Sequence, residues 1–176
     1  MKIAVLGYGT IGSGVVEIVN TNAATIAKRA GEEIEVKYVL DLRDFPGDPV
    51  QDILVHDYSI IAQDEDVDII VETMGGTKPA YDFVKTALLN GKSVCSSNKE
   101  LVAAHGAELL QIAREKDVNF YFEASVGGGI PIIRPLNYSL TAEKIDAISG
   151  ATITSKAVTG AMNSCLAYFQ SLEGGN

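Results

Sequence analysis

Glycines at a fixed spacing near the N-terminus are the first residues whose types suggest chemistry. Gly7-Tyr8-Gly9-Thr10-Ile11-Gly12 has the spacing G-x-G-x-x-G. Gly7 permits a tight turn, Gly9 lets a pyrophosphate approach the backbone, and Gly12 allows a following helix to pack closely. A helix that starts at such a turn also presents unpaired N–H groups to phosphates. The spacing predicts a dinucleotide site, with an ordinary glycine-rich turn as the alternative.

Charged residues follow the next apolar run, 34–40. Asp41-Leu42-Arg43 stands where a nucleotide-binding sheet meets the adenosine ribose. An acid there favours the free 2′-hydroxyl of NAD, and a nearby arginine favours the 2′-phosphate of NADP. Because Asp41 and Arg43 are both present, the choice between NAD and NADP stays open. A plain surface role for both residues is the other alternative.

Three more polar or glycine-rich turns follow apolar runs, at 73–76, 97–99 and 123–129. Lys99 can place a positive charge over a developing alkoxide or a phosphate, although a lysine in such a place is more often simply solvated. The carboxyl ends of parallel strands lie at one edge of a sheet, where ligands bind. The candidate cofactor contacts in these turns are Gly75, Ser97 and Lys99.

The elements that would position these turns alternate along the chain. Strands are predicted at 3–6, 34–40, 67–71, 93–96 and 118–122, and helices at 11–30 (broken near 20–22), from Thr77 as N-cap to 89, and at 101–116. Such alternation predicts parallel strands joined by right-handed crossovers. We therefore expect an α/β fold, a Rossmann-like doubly wound parallel sheet over 1–137. A short C-terminal helical appendage over 138–176 follows it.

Composition narrows the class of partner. The chain has 176 residues, 47% of them hydrophobic, and a net charge of -9. That acidity argues against a nucleic-acid surface and against anionic lipid, and no apolar stretch approaches a membrane span. Cys95 and Cys165 are far apart and form no C-x-x-C pair, so free thiols in a cytoplasmic protein are expected.

Three longer motifs carry a family resemblance. Val71-Glu-Thr-Met-Gly-Gly76, Ser96-Ser-Asn-Lys-Glu-Leu-Val-Ala103 and Phe122-Glu-Ala-Ser-Val-Gly-Gly-Gly-Ile-Pro131 together resemble homoserine dehydrogenase. The resemblance runs from Met1 to about Ala142. It implies NAD(P)-dependent hydride transfer between aspartate semialdehyde and homoserine, with a homo-oligomer as a further expectation.

The resemblance also implies roles for particular residues. Lys99 would sit near the nicotinamide and the substrate as the catalytic residue. Tyr8, Thr10, Ile11 and Arg43 would contact the cofactor. Glu123 and the backbone carbonyls of Val126, Gly128 and Ile130 would hold a structural sodium ion. Taken alone, the run 127–129 predicts only a flexible turn before Pro131.

After Ala142 the resemblance gives way. No later segment resembles the family's substrate-binding region, and only Lys144 and Lys156 remain as lysines. This predicts that dehydrogenase activity is low or absent while cofactor binding persists. A nucleotide-binding fragment without catalysis is then an alternative function.

The segment Asp146-Ala-Ile-Ser-Gly-Ala-Thr-Ile-Thr-Ser155 resembles the flavinylation motif of FMN-binding domains in membrane redox complexes. The resemblance implies that a flavin transferase attaches FMN covalently to Thr152. That makes an electron-transfer fragment a second alternative function. The competing interpretation is a loop of small residues that caps an amphipathic helix, with Ser155 as the N-cap.

Overall fold

The computed structural model describes residues 1–128 and 130–133. A compact unit comprises Met1–Gly129. The domain boundary predicted at 137, Thr152 and the predicted C-terminal helix lie outside the described residues, so those predictions stay untested.

The described elements alternate as expected. The strands are β1 (Lys2–Leu6), β2 (Glu35–Leu40), β3 (Leu54–Val55), β4 (Ile69–Glu72), β5 (Ser93–Ser96) and β6 (Phe120–Tyr121). The helices are α1 (Thr10–Thr21), α2 (Ala23–Ala30), α3 (Tyr58–Gln63), α4 (Ala80–Leu89) and α5 (Lys99–Glu115), with 3₁₀ helices at Pro49–Ile53 and Glu123–Ser125. The break predicted near 20–22 is confirmed, because Asn22 separates α1 from α2.

All six strands form one parallel sheet in the order β3-β2-β1-β4-β5-β6. The chain moves outward from β1 to β3 and then returns to the other side of β1 with β4. This confirms the doubly wound, Rossmann-like fold predicted from the alternation. The reversal of strand order lies between β1 and β4, where such sheets form their ligand crevice.

Successive residues of β1 face opposite sides of the sheet and enter separate cores. Ala4 and Leu6 belong to a cluster with residues of α3, α4 and α5. Ile3 and Val5 belong to a second cluster with Val16 of α1 and residues of β2. Because both faces are covered, β1 is continuously apolar from Ile3 to Leu6 rather than alternating.

Several local predictions need correction. Thr77 is not the N-cap of α4, since the helix begins at Ala80 and Pro79 precedes it without a side-chain cap. The helix predicted from Leu101 begins at Lys99, because the Asn98 side chain accepts the Leu101 N–H and so caps α5. Two elements were not predicted: strand β3 and helix α3. Both are too short to show a clear hydrophobic period.

Candidate functional site

The turn after β1 is closed by backbone contacts. Gly7 has a φ of +94°, and its N–H donates to the Leu40 carbonyl oxygen at 2.8 Å. A Cβ on Gly12 would lie 1.9 Å from the Gly7 carbonyl oxygen, far inside van der Waals contact. Gly12 therefore lets α1 begin directly against the end of β1, as the spacing predicts.

The first turn of α1 is an open face beside this contact. A Cβ on Gly9 would meet nothing within 4 Å, and Thr10 and Ile11 are both exposed. Gly9 caps the helix without a side-chain hydrogen bond, and the first turn holds no acidic residue. The helix end thus keeps unpaired N–H groups and an unneutralised positive dipole, which suits a phosphate group.

The carboxylate of Asp41, just after β2, accepts four hydrogen bonds from neighbouring residues. It accepts the Tyr8 N–H at 2.8 Å and, each at 3.0 Å, the Arg43 N–H, Nε and Nη2. These four donors fill the roughly four acceptor positions of a carboxylate. The Arg43 guanidinium, helped by the two backbone amides, holds the pKa of Asp41 well below its usual range.

Arg43 is held in place but keeps much of its guanidinium in solvent. Its side chain is 62% exposed, and Nη2 also donates to the Tyr8 carbonyl oxygen at 3.1 Å. The guanidinium lies 5.1 Å from the centroid of the Phe45 ring, which also makes an edge contact with the Tyr8 ring at 4.9 Å. The Tyr8 hydroxyl donates to the Asp48 carboxylate at 3.2 Å.

A cleft of about 400 Å³ opens beside Arg43. Leu40, Met74 and Phe83 give it apolar walls, and Arg43 and His56 bring positive or titratable groups to it. Such a cleft, apolar with a few polar groups at its edge, is typical of sites for flat organic ligands.

His56 has an acceptor at each ring nitrogen. Nδ1 lies 2.6 Å from the Asp41 carbonyl oxygen, and Nε2 lies 3.2 Å from the Asp44 carboxylate. These contacts raise the pKa of His56 above its usual value, the Asp41 carbonyl contributing most. Both ring nitrogens can donate only in the imidazolium, so the geometry favours the charged form.

At the ends of β4 and β5 the polar contacts are buried. The Glu72 carboxylate is fully buried and accepts hydrogen bonds from the Ser96 hydroxyl at 2.5 Å and the Met74 N–H at 2.8 Å. The Asn98 side-chain amide donates to Glu72 at 3.3 Å and to the Gly76 carbonyl oxygen at 2.6 Å. Burial raises the pKa of Glu72, and the hydrogen bonds from Ser96 and Asn98 oppose that shift.

Lys99 is the first residue of α5 and is exposed. None of the ion pairs among residues 1–128 involves it. A cation at a helix N-terminus opposes the helix dipole, so helix stability does not account for a lysine at this position. Ser97, two residues before Lys99, is half-buried, and its N–H donates to the Glu72 carbonyl oxygen at 3.1 Å. Gly75, the other predicted contact in these turns, is exposed.

The structure therefore places nearly all of the predicted cofactor residues at one sheet edge. We call Gly7–Gly12 with Asp41 and Arg43 the β1–β2 turns, and Glu72–Gly76 with Ser96–Lys99 the β4–β5 turns. Thr152 lies outside the described residues.

The residues predicted to hold sodium are only partly described. Glu123 opens the second 3₁₀ helix and its carbonyl oxygen accepts the Val126 N–H at 3.3 Å. Gly128 has a φ of +60°, and Ile130 is exposed and falls outside the unit Met1–Gly129. No three His, Cys, Asp or Glu side chains within the described ranges come together as a metal site, so a cation here would depend on carbonyl oxygens.

Sequence reasoning missed the roles of Thr73, Glu72 and Asn98. The Thr73 hydroxyl lies 3.0 Å from the carbonyl oxygens of both Leu6 and Gly7, tying β4 to the glycine turn. Glu72 ends the apolar strand Ile69-Ile70-Val71, and Ser96 and Asn98 follow at the end of the next strand. The sequence did offer a signal for this contact: an acid ends one predicted strand, and hydroxyl and amide side chains follow at the end of the next strand.

Comparison with known proteins gives a consistent result. The family described as "Homoserine dehydrogenase, NAD binding domain" matches residues 7–123. A crystal structure of homoserine dehydrogenase from Thiobacillus denitrificans is 38% identical with a TM-score of 0.73, over 83% of this chain and 34% of that one. A hyperthermophilic archaeal homoserine dehydrogenase in complex with NADPH is 25% identical with a TM-score of 0.64, over 77% of this chain and 47% of that one.

The similarity extends further along the chain than the motifs indicated. Homoserine dehydrogenase from Mycobacterium tuberculosis is 38% identical over 172 residues, which cover 96% of this chain and 39% of that protein. Coverage of 96% of 176 residues leaves out about seven, so the alignment continues past Ala142 and includes Thr152. The flavin interpretation of this segment gains no support from the comparisons.

The extent of these matches fixes what can be stated of the chain itself. It spans about a third of the length of the curated relatives it matches. The matched region includes the glycine turn, Asp41, Arg43 and Lys99, and the sheet that carries them is the one found in the solved structures. The chain belongs to the homoserine dehydrogenase family, through that family's NAD-binding domain.

Proposed function

We propose that this chain binds NADPH in preference to NADH, for hydride transfer between aspartate semialdehyde and homoserine. The arrangement of Asp41 and Arg43 is the observation that carries the preference. All four acceptor positions of Asp41 are filled from within the chain, leaving none for a ribose 2′-hydroxyl. The Arg43 guanidinium keeps free donors in solvent, where a 2′-phosphate can be recognised.

The glycine turn fits the pyrophosphate of such a cofactor. Open space in front of Gly9 lets a ligand reach the backbone, and the uncapped start of α1 supplies N–H donors. The cleft beside Arg43 has the apolar walls expected for an adenine ring, and His56, whose pKa is raised above its usual value by the Asp41 carbonyl, adds positive charge there when it is protonated. The archaeal relative in complex with NADPH supports the same assignment.

Lys99 is proposed as the catalytic residue. When bound, the nicotinamide supplies or accepts the hydride. The Lys99 ammonium, exposed at the start of α5, offers positive charge and a proton to the substrate oxygen as that oxygen becomes an alkoxide.

Titration of the purified chain with NADPH and NADH, followed by nicotinamide fluorescence, tests the cofactor proposal. We expect NADPH to bind at least about tenfold more tightly, because a charge-assisted pair with Arg43 is worth more than one power of ten in affinity. Equal affinities would contradict the preference, and no binding of either would contradict the cofactor function.

Turnover tests the catalytic proposal separately. With NADPH and aspartate semialdehyde, we expect at most a slow loss of NADPH absorbance in the unaltered chain, in line with the low activity that its sequence predicts. Lys99→Ala should lower the rate by about a hundredfold or more, the size of a general acid's contribution. Lys116→Ala, at the other end of α5, is the control and should keep the rate. NADPH binding without turnover in the unaltered chain would leave the nucleotide-binding alternative.

Three further expectations stand as predictions. Sodium binding by Glu123 with the carbonyl groups of Val126, Gly128 and Ile130 depends on the family resemblance, as does a homo-oligomer. The cytoplasmic location depends on composition. No helix in the described part of the chain is long and apolar enough to cross a membrane. Covalent FMN at Thr152, with a flavin transferase as partner, has no support, because the homoserine dehydrogenase similarity runs through that segment.

A further inference from the structure

Glu72 is a fully buried carboxylate to which neither the resemblance nor the proposed chemistry gives a role. It ends β4 directly opposite Ser96, the last residue of β5. Burying a carboxylate is unfavourable, and an apolar side chain of similar size would pack at lower cost. Fold stability alone therefore does not account for an acid at this position.

The three donors to Glu72 lie in different segments of the β4–β5 turns. The Met74 N–H belongs to the turn after β4, the Ser96 hydroxyl to the end of β5, and the Asn98 amide to the cap of α5. Asn98 also donates to the Gly76 carbonyl oxygen and accepts the Leu101 N–H. One buried carboxylate thus connects the glycines after β4 with the residue that precedes Lys99.

The donors to Glu72 all lie in the β4–β5 turns, although Met74 also lines the cleft beside Arg43. In a doubly wound fold the adenosine half of a dinucleotide meets the end of β2, and the ligand extends across the switch point toward β4. The nicotinamide half therefore approaches the turns that Glu72 holds. Ser96 supports the same arrangement, because its oxygen also accepts the Asn98 N–H at 3.0 Å.

We propose that Glu72 is a positioning residue for the nicotinamide half of the cofactor site. By accepting these three hydrogen bonds it holds the backbone of Met74–Gly76 and the start of α5 in one arrangement, with Lys99 at its end. This inference rests on the proposed cofactor function. Its consequence is selective, because loss of the carboxylate disturbs nicotinamide binding more than adenosine binding, for which Arg43 and the glycine turn keep their own contacts.

Two ligands separate these effects. NADPH occupies both halves of the site, whereas adenosine 2′,5′-bisphosphate carries only the adenosine half. Glu72→Leu fills a similar volume but leaves three buried donors without an acceptor. Glu72→Gln keeps one oxygen for Met74 and Asn98, and its amide can donate to the Ser96 hydroxyl, which accepts as well as donates. Ser96→Ala is a milder variant, which removes one donor to Glu72 and the acceptor of the Asn98 N–H.

The expected pattern follows from these contacts. In Glu72→Leu the Kd for NADPH should rise about tenfold, because the donors left without an acceptor displace the backbone of the β4–β5 turns. The Kd for the bisphosphate should change by no more than about threefold, since Met74 is its one expected contact in these turns. In Glu72→Gln the Kd for NADPH should stay within about threefold of that of the unaltered chain. In Ser96→Ala the Kd for NADPH should rise by about threefold, and the Kd for the bisphosphate should not change. Unfolding temperatures of all variants are measured alongside. If Glu72→Leu does not fold, Ser96→Ala decides with the same two ligands.

Three results would overturn the inference: equal losses for both ligands, unchanged NADPH affinity, or a Gln variant as impaired as the Leu variant. In the last case hydrogen bonding would not be what Glu72 supplies. Failure of the unaltered chain to bind NADPH or NADH would overturn the proposed function itself, and this inference with it.

Discussion

At the ends of β1 and β2 an exposed arginine pairs with a largely buried aspartate, whereas at the ends of β4 and β5 the acid and its side-chain donors are all buried. Arg43 is 62% exposed beside Asp41, while Glu72 has no exposed surface and Ser96 and Asn98 are almost as buried. Exposed ion pairs contribute little to stability because water and salt screen them. Buried carboxylates affect both the fold and whatever they position.

This difference separates two kinds of control over a ligand. The exposed Arg43 side chain in the β1–β2 turns can be altered with little effect on the fold, so it is suited to setting a cofactor preference. The β4–β5 turns are tied together through Glu72, so a change there moves several backbone segments at once. We expect specificity to be adjustable on the first side and geometry to be fixed on the second.

Substitution of Gly12 tests most directly whether the backbone of the β1–β2 turns accepts an added side chain. A Cβ there would lie 1.9 Å from the Gly7 carbonyl oxygen. Gly12→Ala should therefore lower the free energy of unfolding by roughly 3 kcal/mol, at the upper end for overpacking, as measured by urea denaturation. Gly14→Ala in the same helix is the control. Its added Cβ meets nothing within 4 Å, so it should stabilise the chain by up to about 1 kcal/mol.

If both glycine variants kept the stability of the unaltered chain, the contact between β1 and α1 would have to relax easily. The β1–β2 turns would then accept backbone shifts as well as side-chain substitutions without loss of stability.

Arg43→Ala tests specificity without a large change in the fold. Removing the guanidinium should weaken NADPH binding at least about tenfold and leave NADH within about twofold, because only NADPH carries the 2′-phosphate. The midpoint of urea unfolding should fall only modestly, because Arg43 is 62% exposed and the Asp41 carboxylate keeps the backbone N–H donors of Tyr8 and residue 43. Arg29→Ala, in exposed α2, controls for loss of a positive charge. A parallel loss of NADH affinity would show that Arg43 shapes the turn rather than reading the phosphate.

His56 gives the smallest effect and a dependence on pH. The groups that act on it are the Asp41 carbonyl and the carboxylates of Asp44 and Asp41, and Arg43 lines the same cleft. Its pKa is raised above 6.5, first by the Asp41 carbonyl, so the ring loses its positive charge as pH rises through that higher value. NADPH affinity should then fall by about threefold between roughly pH 6.5 and 8.5, a modest effect because exposed charges are screened.

His56→Gln is the matched variant for that measurement, and it should show a nearly flat profile. NADH, which lacks the 2′-phosphate, should show a flat profile in the unaltered chain as well. A slope that persists in the Gln variant would assign the pH dependence to another group.

The sequence predicted the parallel sheet and the position of the glycine turn well, because these depend on local patterns. The apolar run Ile3–Leu6 followed by G-x-G-x-x-G needs only the chain itself to specify strand, turn and helix. Strand and helix ends were less accurate. Asn98 moved the start of α5 to Lys99 through a side-chain cap, and β3 is too short for its burial to show a period.

Site roles were predicted unevenly for the same reason. Asp41 and Arg43 were identified together, but which of them faces a ligand depends on hydrogen bonds to Tyr8, 33 and 35 positions away in the chain. Glu72 and Asn98 were within the quoted motifs, yet their contact arises only when β4 and β5 pair.

By itself the sequence determined the fold class, the family and the set of turns that form the site, since period, spacing and motif order are properties of the chain. Tertiary structure alone decided which donors fill the acceptor positions of the Asp41 carboxylate, why Gly12 leaves no room for a side chain, and that Glu72 connects two turns. Those outcomes depend on distances between segments far apart in sequence, and such distances are fixed only when the strands pack side by side.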